Sequence, residues 1–205
     1  MVVRKALSMG IGVFMFCVAC GGGGDSAGTM SASGSECSET MQLIQNTSSP
    51  PGLDAEPFCG GRETVEASPS EDLDMAVLDI MPVGGRGGAD VVVFQFTGGL
   101  PGFTVEYVEP PILSDPAGQT IEVDGNAFLK VRFQPAVGHN LNTGKDTTLT
   151  ELSWDLAGIV AEVKRIGDFE GVLTWVLGLD EEADFRVITL EDPSAFAVAV
   201  EVARP

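Results

Sequence analysis

The sequence predicts an all-β domain behind an N-terminal segment of low complexity, and three observations carry that reading. Hydrophobic residues make up 44% of 205 residues, enough for a core in spite of a formal charge of −19. From Met75 onward apolar side chains recur at period two nearly throughout, the pattern of strands buried on one face. Gly, Pro, Asn and Asp clusters punctuate those runs at short intervals. About eight or nine short strands at such spacing indicate a β-sandwich or a closed barrel.

Taken in chain order, residues 1–19 read as an export signal. Arg4 and Lys5 supply its positive start, and Ala6 to Ala19 are apolar or small apart from Ser8. That run is shorter than the ~20 residues needed to cross a bilayer. It ends in Val18-Ala19-Cys20 followed by four glycines, which resembles a bacterial lipobox, with Cys20 as the lipidated residue. The alternative is cleavage by ordinary signal peptidase and release as a free protein. Two or more acyl chains on Cys20 would hold the protein on the membrane, where a single chain does so marginally.

Residues 20–74 read as a spacer. Between Gly21 and Asp74 lie nine Gly, nine Ser and four Pro, with ten acids against Arg62 as the one base, so the stretch repels itself and stays extended. With Cys20 capped, Cys37 and Cys59 form the remaining pair, and in an oxidising compartment such a pair closes a disulfide. Its loop would constrain the unfolded chain by roughly 3 kcal/mol. Two thiols with no nearby His make an incomplete zinc site.

Residues 75–205 read as the folded domain, with 20 acids and 8 bases. Val92, Phe94 and Phe96 alternate with Val91, Val93 and Gln95, and Phe103, Val105 and Tyr107 with Thr104 and Glu106. Leu129, Val131 and Phe133 oppose Lys130 and Arg132. Ile159, Ala161 and Val163 oppose Glu162 and Lys164, and Phe196, Val198, Val200 and Val202 oppose Ala197, Ala199 and Glu201. Gly171 to Leu179 is apolar on both faces, as in a central strand covered on each side. Turns are expected at Gly84-Gly85, Gly98-Gly99, Pro110-Pro111 and Asn142-Thr143-Gly144, and a hairpin at Asp124-Gly125-Asn126 joining Ile121-Val123 to Ala127-Leu129.

The acidic balance excludes nucleic-acid binding by phosphate neutralisation, which needs a basic face. His139, the single His, lies in a polar segment. No G-x-S-x-G elbow accompanies it, so a nucleophilic triad is not expected. It reads as a surface-loop residue, with ligand contact as the alternative. Asp168 and Glu170 flank Phe169 at a turn, where they either orient the backbone or act as paired acid and base. Asp180 to Asp184 is acidic without the spacing of a Ca²⁺ loop and reads as a solvated hairpin tip. Trp154, between Ser153 and Asp155, could serve as a stacking platform for a sugar ring, whereas Trp175 in its apolar strand belongs to the core.

Gly98-Gly99-Leu100-Pro101-Gly102-Phe103-Thr104-Val105-Glu106-Tyr107, Phe128 to Ala136, and above all Gly167-Asp168-Phe169-Glu170-Gly171-Val172-Leu173-Thr174-Trp175-Val176-Leu177-Gly178-Leu179-Asp180 resemble the AMIN-like domain of actinobacterial lipoproteins. The resemblance covers roughly Met75 to Val202. It implies a β-sandwich that serves as a non-catalytic envelope-binding module, for peptidoglycan or another wall polymer, with no cofactor and no metal. The alternatives are a protein-interaction or scaffold module at the envelope and, more remotely, a carboxylate-dependent hydrolase using Asp168 and Glu170.

Overall fold

The structure is a computed structural model, and it describes residues 58–153, 158–192 and 195–205. Cys20, Cys37 and Trp154 lie outside the described residues. The described residues contain twelve strands and no helix, in two sheets packed as a β-sandwich.

The strands of the first sheet are β1 (Val65–Ala67), β5 (Gly102–Tyr107), β6 (Ala127–Gln134), β8 (Glu151–Ser153), β9 (Val160–Phe169) and β10 (Val172–Leu179), in the order β1-β5-β6-β10-β9-β8. The second sheet has β2 (Ala76–Ile80), β3 (Val83–Arg86), β4 (Ala89–Thr97), β7 (Ala136–Val137), β11 (Phe185–Asp192) and β12 (Ala195–Ala203). Its order is β11-β12-β4-β2-β7, with β3 on β4. All pairs are antiparallel except β2 with β7.

The alternation read from the sequence faces as expected in β4, β5, β6 and β12, whereas in β9 Val160 joins Ile159 and Val163 in the core, Ala161 is half-buried and Glu162 is buried. Val92, Phe94 and Phe96 of β4 and Val198, Val200 and Val202 of β12 meet Val105, Leu129, Val131, Phe133, Leu173, Trp175 and Leu177 across the sandwich, all buried. Phe94 packs 4.9 Å from Phe133 and 5.9 Å from Trp175 between ring centroids, within the range in which tilted aromatic pairs add to burial. β10 is covered on both faces. Trp175 points into the main core, while Val176 joins Ile112 and Ile166 in a second cluster under Val108, Ile121, Val123 and Phe128.

That second cluster explains where the expected hairpin fails. Ile121-Val123 does not pair with β6, whose two sides are taken by β5 and β10; it folds over the outer face of β10 and packs Ile121 and Val123 on Ile112, Ile166 and Val176. Gly178 makes the approach possible, because a Cβ there would lie 1.8 Å from the Asp124 carbonyl oxygen. Likewise Gly84 and Gly85 are strand residues of β3, and the turn is made one step later by Gly87 and Gly88 at φ +54° and +79°.

Strand pairing also reaches ahead of residue 75. β1 lies inside the stretch expected as spacer and pairs Val65, Glu66 and Ala67 with Val105, Thr104 and Phe103. Gly61 exchanges backbone hydrogen bonds with Phe185 at 3.0 and 2.8 Å. Arg62 reaches Glu182 and Asp184, and the Ser70 N–H donates to the Leu100 carbonyl at 2.9 Å. The Gly/Ser composition hid these contacts because they are made by backbone groups and by one Arg side chain, not by an apolar stripe.

Candidate functional site

Two places on the sandwich gather chemistry. The first joins sequence-predicted residues. His139 follows the short β7, and Asp168 sits near the end of β9. They are brought together with His139 Nδ1 2.8 Å from Asp168 Oδ2. The same oxygen accepts from the Gly138 N–H at 3.1 Å and from Arg165 Nη1 at 3.4 Å. Arg165 also reaches Asp146 at 2.6 Å and the Gly138 carbonyl at 3.3 Å. Thr147 Oγ1 donates to the Gly138 and Leu78 carbonyls. One largely buried carboxylate thus pins the loop after β7 to the end of β9, a structural use of a charge whose Oδ2 is compensated by a guanidinium and two further donors, while its Oδ1 has no hydrogen-bond partner among the described residues.

Glu170 is not part of that cluster. It occupies the first position of the two-residue turn between β9 and β10, exposed, at φ +50°, with Gly171 at +75°. Both positions need a positive φ in this kind of hairpin. The two carboxylates therefore take different roles, and Asp168 has its described partners in Gly138, His139 and Arg165.

The acidic run after β10 is likewise not a hairpin tip. It carries the chain from β10 in the first sheet to β11 in the second, and Glu182 and Asp184 in it bind Arg62. Among the described residues no cluster of His, Cys, Asp and Glu is placed to hold a metal ion. Cys59 is disulfide-bonded; its expected partner, Cys37, lies outside the described residues.

The second place is an open groove of about 650 Å³ on the outer face of the first sheet, lined by residues of β1, β5 and β6 and the turns beside them. Strand register builds it. Glu66 stands opposite Thr104, Thr104 opposite Arg132 and Arg132 opposite Thr174, so one outward row presents an acid, a hydroxyl and a guanidinium. At the spacing of strands in a sheet, Glu66 and Arg132 stand roughly 10 Å apart. Gln134 lies two residues along β6 on the same face, and its Oε1 accepts from Arg132 Nη2 at 2.8 Å. Gly102 lets the groove come close to the backbone, since a Cβ there would meet Pro69 Cδ at 2.9 Å and the Gln134 carbonyl at 3.0 Å. Pro69 and Pro135 supply apolar walls.

Arg132 is the cation of this groove. Lys130, its neighbour on the same face, is tied to Glu106 at 2.7 Å, whereas no described carboxylate pairs with Arg132. An open guanidinium beside an amide, a hydroxyl and a carboxylate forms a hydrogen-bonding surface suited to hydroxyl, acetamido and carboxylate groups of a ligand. None of His139, Asp168 or Glu170 lines it. Sequence reasoning missed the groove, although its signal was present in Thr104, Arg132 and Gln134 at the polar positions of two alternating runs. Which polar positions face a cavity and which face open solvent depends on β1, whose strand was not expected.

Comparison with known proteins gives one family. The AMIN-like domain matches residues 76–204. No curated protein and no solved structure matches the chain.

Proposed function

The chain belongs to the AMIN-like domain family, and on that premise we propose that it is an envelope-binding module that takes a wall glycan such as peptidoglycan in the groove across β1, β5 and β6. What supports this reading is the groove itself, with Glu66, Thr104, Arg132 and Gln134 converging on a space of about 650 Å³. A saccharide chain presents many donors and acceptors and few charges, so it is recognised by such a set of neutral and charged hydrogen-bonding groups in a concave site.

A protein with formal charge −19 is repelled by anionic wall polymers at long range, so binding has to come from short contacts, with Arg132 as the group that tolerates a ligand carboxylate. In this reading the segment ahead of the domain acts as tether, and lipid on Cys20 holds the protein on the outer side of the membrane.

The test is co-sedimentation of the full chain with purified insoluble wall, beside capture from an envelope protein extract. Pelleting with the wall supports the reading. Capture of protein with none of the chain in the wall pellet would replace it with the scaffold reading. For the anchor, Cys20→Ser should abolish metabolic labelling with a lipid precursor.

A further inference from the structure

We infer that the groove across β1, β5 and β6 takes a zwitterionic amino-acid head, ammonium and carboxylate on one carbon, with Glu66 holding the ammonium and Arg132 the carboxylate. The inference rests on the wall-binding reading for the source of that head, a peptide carried by the wall glycan.

Neither Glu66 nor Arg132 has an ion pair among the described residues. The next row of the same face shows the opposite case, because Glu106 and Lys130 are direct cross-strand partners and close to 2.7 Å. Glu66 and Arg132 are two strands apart, with Thr104 between them in the register. One row thus neutralises itself, and the other holds two opposite charges apart on the wall of a groove.

Their separation has the size of an amino-acid head. Strand spacing sets the two Cα atoms roughly 10 Å apart, and side chains of a strand stand roughly perpendicular to the sheet. In an amino acid the nitrogen lies about 2.5 Å from the carboxyl carbon, as bond lengths and angle require. With a charge-assisted hydrogen bond of about 2.8 Å at each end, the span from a Glu oxygen to an Arg nitrogen comes to about 8–9 Å. A lone ammonium or a lone carboxylate reaches one end only.

The groups around the two charges suit the same ligand. Thr104 is half-buried at the midpoint, where its hydroxyl can donate to the carboxylate or accept from the ammonium. Gln134 Oε1 accepts from Arg132 Nη2 at 2.8 Å, which orients the guanidinium and leaves its other N–H groups for a ligand.

Charge selects among the parts of a wall. A neutral sugar seated across the row would displace water from both charges without supplying a counter-charge to either. An anionic group alone would face Glu66 as a like charge and meet the field of a chain at −19. A net-neutral head satisfies both ends and is not repelled by that field.

The test titrates the full chain by calorimetry with a soluble muropeptide that carries a free diaminopimelate side-chain end. Beside it stand the same fragment N-acetylated at that end and the same fragment amidated there. Saturable binding of the first fragment should weaken at least tenfold with either cap. Glu66→Gln should lose the response to N-acetylation and keep the response to amidation, and Arg132→Gln should do the reverse. Each variant is compared with itself across the three fragments, so a partial loss of fold does not mimic this pattern. Free diaminopimelate is a further arm: weaker binding than the muropeptide assigns the head to a wall peptide, equal binding assigns it to the amino acid alone, and both support the head group.

No binding of the uncapped muropeptide, equal binding of all three fragments, or cap responses unchanged in both variants overturns the inference. Co-sedimentation with insoluble wall is scored separately. Pelleting with equal binding of the three fragments overturns this inference and leaves the wall reading standing. Cap-sensitive muropeptide binding without pelleting supports this inference and overturns the wall reading.

Discussion

Trp175 and Asp168 carry the two clearest residue-level expectations. Trp175 is fully buried between the sheets, so Trp175→Ala should cost about 3–5 kcal/mol, as other large-to-small core changes do. Its indole Nε1 has no hydrogen-bond partner among the described residues. Trp175→Phe should for that reason be tolerated far better than the alanine variant, because it discards an unsatisfied donor along with some volume. Urea denaturation of both variants checks the ranking. Asp168→Ala leaves Arg165, the Gly138 N–H and His139 without their shared acceptor, and a loss of about 1–3 kcal/mol is expected, again read by denaturation. The burial of Trp175 was legible from its apolar strand. The Asp168–His139 contact was not, since 29 residues separate them and only the fold's long-range pairing brings the loop after β7 onto β9.

Among the elements, β1 has the largest consequence for how the domain is delimited. Three residues of backbone pairing with β5, the Gly61–Phe185 exchange and the Arg62 contacts with Glu182 and Asp184 all precede Glu71. A chain truncated to begin at Glu71 should therefore unfold at a lower temperature than one beginning at Phe58, with β5 newly exposed as an edge. Equal melting temperatures would show that β1 is dispensable. A run apolar on both faces located β10, and period-two alternation located the long strands β4, β5, β6, β9 and β12. It could not locate β1, β7 and β8, which have two or three residues each, too few to register a period. It also misassigned Ile121-Val123, whose β-like sequence packs across a sheet face instead of along an edge.

For the whole molecule, the sandwich was legible and the groove was not, because a groove is a relation between strands that no single strand's pattern contains. Alkaline pH should loosen the fold. Burial pushes the Tyr107 hydroxyl above its ordinary 10.0. Burial lowers the Lys164 ammonium, but the Glu162 and Glu151 carboxylates outweigh it, so its value too is raised above 10.5. A group whose value is raised on folding stabilises the native state below its unfolded value, and that contribution is lost as pH rises through the folded value. Stability should then fall above about pH 10, and Tyr107→Phe should flatten part of that fall.

The proposed function stands on the groove around Arg132 as the seat of wall-glycan binding. It is tested most directly by a binding isotherm of the full chain on purified wall, with the wild type beside Arg132→Ala. Saturable wild-type binding that weakens at least tenfold in the variant, at an unchanged melting temperature, is the result predicted. A wild type that fails to bind the wall, or a variant that binds it equally well, would contradict it.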